Sequence, residues 1–347
     1  MTMPTGELDA LVVAAETADQ GIQEPGKVVE GRSLSQLAWR RIRRSKIAMI
    51  SFGFIVFLLL VAIFAPVLTA IEGHGPLTVN NDLVSKGSID LSTVPGMPLT
   101  GYKFPSGAHW LGVEPVNGRD VFARLVYGAR VSLTIALLAT FISVVLGTLL
   151  GATAAYFRGA VDAVISRFMD LLLAFPQLLL ILTLTPILQQ RLGNTRLGHG
   201  STLPIASLVL ILGFFGWPYL GRIVRGQVLS LREREFVEAA RALGATPRRI
   251  VLREIIPNVT AVVLVYATLL IPTNITAEAA LSFLGAGVRD PTPSWGQMLN
   301  ASQNENWYQI DPWFMLVPGV ALLLTVLAFN LFGDAVRDAL DPRASRG

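Results

Sequence analysis

The chain has 347 residues, of which 52% are hydrophobic and only 15% are charged, and its formal net charge is +4. Soluble domains carry about a quarter charged residues, and disordered chains combine low hydrophobicity with high charge, so the composition excludes both classes. The mean hydropathy is +0.55, and the apolar residues fall in blocks of about 20 or more, enough to cross a bilayer of roughly 30 Å. The chain is therefore predicted to be a polytopic membrane protein. We attribute its positive charge to arginines at a membrane surface, with no nucleic-acid partner.

The amino-terminal 36 residues are polar and acidic. They lack the basic start and apolar core of a secretory signal, so residues 1–36 are predicted to be a disordered cytosolic tail. Residues 37–71 are predicted to form a basic segment followed by the first membrane helix. Five cations precede the apolar run and place the amino terminus in the cytoplasm by the positive-inside rule: Arg40, Arg41, Arg43, Arg44 and Lys46.

Six apolar blocks predict six transmembrane helices, at about residues 47–71, 131–156, 169–188, 203–220, 259–284 and 313–332. Residues 72–118 contain two lysines and no arginine, which predicts an extracytoplasmic loop. Residues 222–255 contain eight arginines, which predicts a cytoplasmic loop. Both assignments agree with a chain that starts in the cytoplasm and crosses the membrane in opposite directions at successive spans. The remaining residues are predicted to form a five-helix core at 119–337 and a cytosolic carboxyl terminus at 338–347.

Prolines and small residues mark features within these spans. Four prolines interrupt apolar blocks and predict static kinks, with a hinge role as the alternative: Pro176, Pro186, Pro218 and Pro272. Gly147, Gly151 and Ala155 are spaced four apart on the second span. This spacing predicts close packing against another helix, and lining of a pathway is the less favoured alternative.

Residues 235–258, EFVEAARALGATPRRIVLREIIPN, are the most informative part of the arginine-rich loop. Gly244 suits the left-handed end of a helix, and Thr246 with Pro247 suits the start of the next. We predict a short helix, a glycine turn and a second helix leading into span five, with an amphipathic helix on the membrane surface as the alternative. Spacing places four residues on one face of the short helix: Phe236, Ala239, Ala240 and Leu243.

Polar side chains interrupt the fifth apolar block at Asn274, Thr276 and Glu278. A carboxylate at mid-bilayer costs about 2.5 to 3.5 kcal/mol, so Glu278 is expected to face protein or water. A packing role is open for this residue.

Charged side chains precede the second span. Arg119, Asp120 and Arg124 fall just after the predicted extracytoplasmic loop. We predict an ordered amphipathic helix at the outer end of the second span. A solvated pair of surface charges is the alternative.

The EAA run at 238–240, followed by Gly244 and Pro257, resembles the EAA loop of ABC-importer permeases. Glu254 departs from the family pattern, which has an apolar residue three before the proline. The resemblance extends over about residues 39–343. Four further segments resemble the dipeptide, oligopeptide and nickel branch of this family: residues 117–133, 170–180, 281–299 and 330–343.

The resemblance implies an all-α polytopic membrane protein with six transmembrane helices, in the type I ABC-importer permease fold with a cytoplasmic coupling helix. It implies a homologous second permease subunit, two cytoplasmic ABC ATPase subunits (or one fused ATPase), an extracytoplasmic substrate-binding protein and membrane lipid, in a bacterial plasma (inner) membrane. ATP and magnesium are expected on the partner ATPases, with no cofactor on this chain. Di- or oligopeptides are the favoured substrates, with nickel or another small solute as the alternative. The coupling residues are then Glu238, Ala239, Ala240, Leu243 and Gly244.

The resemblance also implies a translocation path lined by Asn274, Thr276 and Glu278, with contact to a substrate ammonium group and a packing or gating role both open for Glu278. Contact with the binding protein is expected from Arg119, Asp120 and Arg124.

The sequence predicts neither a catalytic site nor a metal site. It has no cysteine, which removes thiol chemistry and Cys-based metal sites, and it has no P-loop motif for phosphate binding. His74, His109 and His199 are far apart in the sequence, so clustered histidine chemistry is not expected. We therefore predict a non-catalytic subunit. A secondary transporter is a less favoured alternative, because it would need inverted repeats or paired broken helices.

Overall fold

The computed structural model describes residues 34–84, 97–99, 106–193, 202–303 and 307–340. Within these ranges the regular structure is helical apart from two isolated bridges, Val84 with Pro98 and Val113 with Asp120. In chain order the helices are α1 (Leu34–Arg44), α2 (Lys46–Ile63), α3 (Ala65–Glu72), α4 (Val121–Phe157), α5 (Gly159–Ala174), α6 (Gln177–Gly193), α7 (Thr202–Leu231), α8 (Glu235–Ala242), α9 (Pro247–Phe283), α10 (Trp295–Gln303), α11 (Trp307–Ile310) and α12 (Pro312–Leu340), with a short 3₁₀ turn at Asn81–Leu83.

Six membrane spans are present in the described residues if one bent pair counts as a single span. Helices α2, α4, α7, α9 and α12 are long and apolar enough to cross a bilayer, and α5 with α6 meets that criterion as a pair bent by 89°. The bend is at Phe175, which is extended (φ −91°, ψ 139°) because a residue before proline avoids the helical conformation. The expected all-helical fold is confirmed, but the third span starts at Gly159 rather than near residue 169, and Pro176 bends it sharply.

The first membrane segment is also divided. Helix α2 ends at Ile63, and α3 begins at Ala65 with Pro66 in its first turn. Proline has no N–H, so Pro66 cannot donate to the carbonyl of Ala62 and the regular α2 ladder ends there. The predicted single helix over 47–71 is therefore two helices that meet at Phe64.

Helix α4 is longer than the sequence predicted, with 37 residues that extend over about 55 Å. Asp120 caps its start, since Asp120 Oδ1 accepts a hydrogen bond from the backbone N–H of Ala123 at 2.7 Å. The segment predicted as a separate amphipathic helix is therefore the first part of the second span. The helix ends at Phe157, where Arg158 and Gly159 adopt φ of +53° and +59° and turn the chain into α5.

Helix α4 packs against α7 with backbones almost in contact. A Cβ atom added at Gly151 would lie 2.4 Å from the carbonyl oxygen of Gly221, and one at Gly147 would lie 3.0 Å from that of Trp217. Small residues allow this approach because no side chain separates the helices. The predicted packing role of the small residues on span two is confirmed.

Helix α9 contains one π-helical turn, at Ile250–Ile255. There the N–H of Ile256 donates to the carbonyl of Val251, five residues earlier. Pro257 follows immediately and has no N–H for an ordinary bond to the carbonyl of Arg253. Such turns hold one residue more than an α turn.

The two ends of the bundle are distinguished by the arginine-rich loop at residues 222–255. The arginine-rich end also contains α1 and the last turn of α12, which meet where Arg41 Nη1 donates to the carbonyl oxygen of Ala339 at 3.2 Å. The opposite end contains α3, the start of α4 and α10. The predicted tail over 1–36 lies outside the described residues except for 34–36, which begin α1, and only 338–340 of the predicted carboxyl terminus are described, as the end of α12.

Candidate coupling surface and translocation cavity

The predicted coupling loop folds as a helix, a glycine turn and a second helix. Gly244, two residues after α8, has a φ of +77°, and α9 begins at Pro247. The backbone N–H of Ala245 donates to the carbonyl of Ala240 at 3.0 Å, which satisfies a carbonyl at the end of α8. Thr246 holds the N-cap position of α9, as expected, although its side chain makes no capping hydrogen bond.

The residues expected to contact an ATPase form an exposed surface, which we call the coupling surface. Leu243 is 89% exposed, and Phe236 on the same face of α8 is 38% exposed. Ala240 is half-buried. This face therefore has little cover from the described part of the chain. Four of the five predicted coupling residues are exposed: Glu238, Ala239, Leu243 and Gly244.

Val237 anchors the coupling surface, and the sequence analysis missed it. Its side chain is fully buried in a cluster with Val228 of α7 and with Ile250 and Ile255 of α9. Successive helical residues point about 100° apart, so Val237 faces inward while its neighbours face outward. The available signal was a β-branched apolar residue outside the predicted apolar face.

Arginines of the loop bind the end of α4. Arg232 Nη1 donates to the carbonyl oxygens of Ala155 and Tyr156 at 3.0 and 2.8 Å, where the last helical carbonyls have no partner within the helix. Arg158 and Glu233 form an ion pair at 2.6 Å, but both side chains are more than half exposed, so its contribution to stability is small. The coupling loop is therefore joined to α4 as well as to α9.

A cavity of about 510 Å³ opens between α6, α9 and α12. The Asn274 amide donates to Thr140 Oγ1 at 2.9 Å, and Thr276 Oγ1 donates to the carbonyl oxygen of Pro272 at 2.9 Å. Two of the three residues predicted for a path, Asn274 and Thr276, line this cavity. Its polar lining comprises Gln177, Thr273, Asn274, Thr276 and Asn330.

Glu278 is buried on another side of α9 and does not line that cavity. It is 0% exposed, and Ser282 Oγ donates to its Oε1 at 2.8 Å. The hydroxyls of Ser132 and Ser294 face the same carboxyl group. These serines belong to α9, to α4 and to the residue before α10, so Glu278 joins three segments inside the protein. Glu278 therefore faces protein, which is one of the two environments expected for it.

At the opposite end of the bundle, a polar network links α4 to the segment before α10. Arg119 donates to Asp290 Oδ2 and Oδ1 at 3.1 and 2.7 Å and also to Glu114. Arg124 Nε lies 3.0 Å from Glu114 Oε2, and its Nη2 donates to Gln297 Oε1 at 2.6 Å. Burial opposes the charge of Arg119, but its hydrogen bonds to Asp290 and the charge of Glu114 raise the pKa of Arg119 above its ordinary value.

The burial of this network is inconsistent with a solvated surface pair. Arg119 is 5% exposed, and Asp120 and Arg124 are 0% exposed, so their side chains act within the chain rather than on its surface. The Asp290 side chain is 53% exposed and borders a cavity of about 430 Å³. Sequence analysis missed the partners of the arginines because they are distant in the chain, with Gln297 lying 173 residues after Arg124.

The sequence also failed to predict that two histidines meet at this end. The rings of His74 and His109 have centroids 4.1 Å apart, so the expectation of scattered histidines is wrong for this pair. The end of α3 brings them together, since Glu72 Oε1 accepts a hydrogen bond from the backbone N–H of Trp110 at 3.0 Å.

Two protein families match the chain. Residues 143–346 match the binding-protein-dependent transport system inner membrane component, and residues 33–82 match the N-terminal TM domain of oligopeptide transport permease C. The chain therefore belongs to the family of binding-protein-dependent inner-membrane permeases of ABC importers. It is a permease of the peptide branch, works with a substrate-binding protein and an ATPase, and resides in the inner membrane.

Two relatives with 38% sequence identity agree with this assignment. The dipeptide transport system permease protein DppC of Alkalihalophilus pseudofirmus is 38% identical over 306 residues, which cover 88% of this chain and 89% of that protein. The glutathione transport system permease protein GsiD of Escherichia coli O157:H7 is 38% identical over 305 residues, with the same coverage of 88% and 89%. An inward-facing structure of the MetNI methionine ABC transporter covers 63% of this chain and 97% of its own, with a TM-score of 0.49 and 22% identity.

Proposed function

We propose that the chain forms half of the translocation pathway of an ATP-driven importer for di- or oligopeptides. The observation that carries this proposal is the 38% identity to a dipeptide permease over 88% of the chain. A homologous permease would supply the other half, because one set of spans does not enclose a pathway. Two ABC ATPase subunits, or one fused ATPase, would bind ATP and magnesium, and this chain would remain non-catalytic.

The lining of the 510 Å³ cavity supports peptides over metal ions as cargo. Its described lining residues are uncharged and include the amides of Gln177, Asn274 and Asn330. Amides and hydroxyls can pair with the N–H and C=O groups that every peptide carries, whatever its side chains. Nickel would require imidazole, carboxylate or thiolate ligands, and the described lining offers none of these.

The coupling surface would carry movement from the ATPases into the spans. We assign it to the cytoplasmic side, together with both termini, because the arginine-rich end fits the positive-inside rule. ATP binding would draw the ATPases together and move α8, and Val237 packs α8 against α7 and α9. Hydrolysis would then restore the inward-facing state.

The opposite end would receive the binding protein. Arg119, Asp120 and Arg124 would act indirectly there, by holding the loops in place from within. The half-exposed Asp290 presents the same network to solvent, which makes it the better candidate for direct contact.

Uptake by the reconstituted importer tests the proposal. The chain with its partner permease, ATPases and binding protein is placed in liposomes, and entry of labelled dipeptide, tripeptide or nickel is followed with and without ATP. We expect ATP-dependent peptide uptake that Asn274→Leu and Thr276→Val both lower. Thr260→Val is the matched control, since Thr260 on α9 makes the same type of hydrogen bond to a carbonyl four residues earlier and does not line the cavity. ATP-dependent nickel uptake without peptide uptake would overturn the choice of cargo, and peptide uptake without ATP would overturn the transport mechanism.

A further inference from the structure

Three side chains with metal-binding atoms converge at the end of the bundle opposite the arginine-rich loop. One ligand atom from each of His74, His109 and Asp120 lies within 4.8 Å of the others. The residues come from separate segments: His74 follows α3, His109 lies in the loop before α4, and Asp120 caps α4. Transport, as assigned above, uses neither histidine, and Asp120 contributes to it only by holding the loops at this end.

The group is ordered by burial and hydrogen bonds. Asp120 is 0% exposed and His109 is 3% exposed. His109 Nδ1 lies 2.7 Å from Asp120 Oδ2, while Asp120 Oδ1 caps α4. The Asp120 carboxylate therefore fixes the position of the His109 ring within the group.

Two further atoms at this place lack a hydrogen bond. His74 Nδ1 and Glu72 Oε2 are buried without a hydrogen-bond partner in the described part of the chain. Two carboxyl groups and two imidazoles thus share one place, and no described lysine or arginine forms an ion pair with either carboxyl group. A bound cation would offset the free-energy cost of burying these acceptor atoms together.

The donor set selects the class of cation. Imidazole nitrogen with carboxylate oxygen suits zinc and neighbouring divalent transition metals, whereas calcium and magnesium prefer oxygen alone. Zinc holds such atoms at about 2.0 to 2.2 Å, which places them roughly 3.4 Å from one another in a tetrahedron, so side-chain movements of about 1 Å would close the site. An open cavity of about 690 Å³ lined by both histidines provides access from solvent.

We propose that His74, His109 and Asp120, with Glu72 alongside, bind a divalent transition metal of the zinc class. The metal ties the end of the first membrane segment to the start of α4. This site lies away from the uncharged cavity assigned to cargo, so it is structural and its occupancy does not depend on transport.

Zinc titration of the full-length chain in detergent, purified without a histidine tag and stripped with a chelator, tests this proposal. We expect about one Zn²⁺ per chain and a raised melting temperature, without a similar effect of Mg²⁺. His74→Ala should weaken binding by more than about 100-fold, because loss of an outer-shell partner alone costs 10 to 100-fold. Asp120→Asn should also weaken it while keeping a side-chain oxygen to cap α4.

Two controls separate this site from others. His199→Ala removes the remaining histidine of the chain and should leave zinc binding unchanged. His74→Gln tests the half-buried ligand in a chain whose folding is verified by its melting temperature without metal. Unchanged stoichiometric binding in both His74 variants, or binding that His199→Ala abolishes, would show an adventitious metal and overturn the proposal. Absence of zinc binding by the native chain would overturn it as well.

Discussion

A residue within α8 and the residue that follows its last turn have opposite environments, and this contrast defines the coupling surface. Val237 is 0% exposed, whereas Leu243 is 89% exposed. The buried residue fixes the helix to α7 and α9, so the exposed one is held at a defined place. A single apolar side chain on a surface is common, but one fixed this way on the loop that resembles the EAA motif is suited to dock into a groove of another subunit.

Leu243→Arg is predicted to uncouple ATP hydrolysis from uptake. A charge forced into an apolar contact is costly unless it is paired, so we expect uptake to fall about tenfold or more, which corresponds to about 1.4 kcal/mol. Because the side chain is exposed, the stability of the isolated chain should change by less than about 0.5 kcal/mol. Uptake and ATPase rates in liposomes, together with a thermal melt, measure both effects. Leu243→Met is the apolar control, and full transport by the arginine variant would exclude the proposed contact.

At the scale of the helix, prolines and glycines decide where spans bend and how closely they pack. Pro176 bends one span by 89°, while Pro186 remains within α6. The difference depends on the preceding residue: Phe175 is extended, and no equivalent break precedes Pro186. The same residue type therefore produces a sharp bend in one place and a continuous helix in the other.

Gly151→Ala and Gly226→Ala are predicted to change stability in opposite directions. A Cβ at Gly151 would lie 2.4 Å from the Gly221 carbonyl oxygen, whereas one at Gly226 would meet nothing within 4 Å. Overpacking costs about 1 to 3 kcal/mol, and alanine in an open helical position gains about 0.5 to 1 kcal/mol over glycine. Unfolding of the detergent-solubilised chain by increasing denaturant compares the two variants. Equal changes in the free energy of unfolding would show that α4 and α7 accommodate the added methyl group without loss of stability.

Sequence reasoning succeeded where a feature depends on neighbours along the chain and failed where it depends on distant ones. The turn at Gly244 and the helix start at Pro247 follow from local conformational rules, and the apolar blocks follow from bilayer thickness. The bend at Phe175 required knowledge of how α5 and α6 pack, since proline alone does not set an angle. The pairing of Arg124 with Gln297, and of His74 with His109, required the fold itself, because no periodicity links residues so far apart.

For the whole molecule, burial is unevenly shared among the spans. In the most apolar stretch of α7, half of the residues are buried inside the chain. In the corresponding stretch of α9, only 17% are buried. Helix α9 also carries Asn274 and Thr276, which line the open cavity. A span with polar residues and little cover is unfavourable against lipid, which supports the proposed second permease as its neighbour.

The orientation in the membrane is tested with single cysteines in this cysteine-free chain. Val116 at one end is 46% exposed, and Leu243 at the other is 89% exposed. We expect an impermeant maleimide to label Val116→Cys in intact spheroplasts and Leu243→Cys only after permeabilisation, because the arginine-rich end is assigned to the cytoplasm. The reverse labelling pattern would invert the topology. Denatured samples of both variants provide the control for thiol reactivity.

The π turn at Ile250–Ile255 has a consequence for how a span could rotate. It connects the glycine turn after α8 to the rest of α9 and contains one residue more than an α turn. If this turn were rewound to α geometry, the helix beyond it would advance by one residue, which is a rotation of about 100° and a shift of about 1.5 Å. The amide of Asn274 would then turn away from Thr140, and a different set of side chains would face the cavity. A small displacement of α8 would thereby rotate α9 about its own axis and shift it along that axis, rather than tilt it.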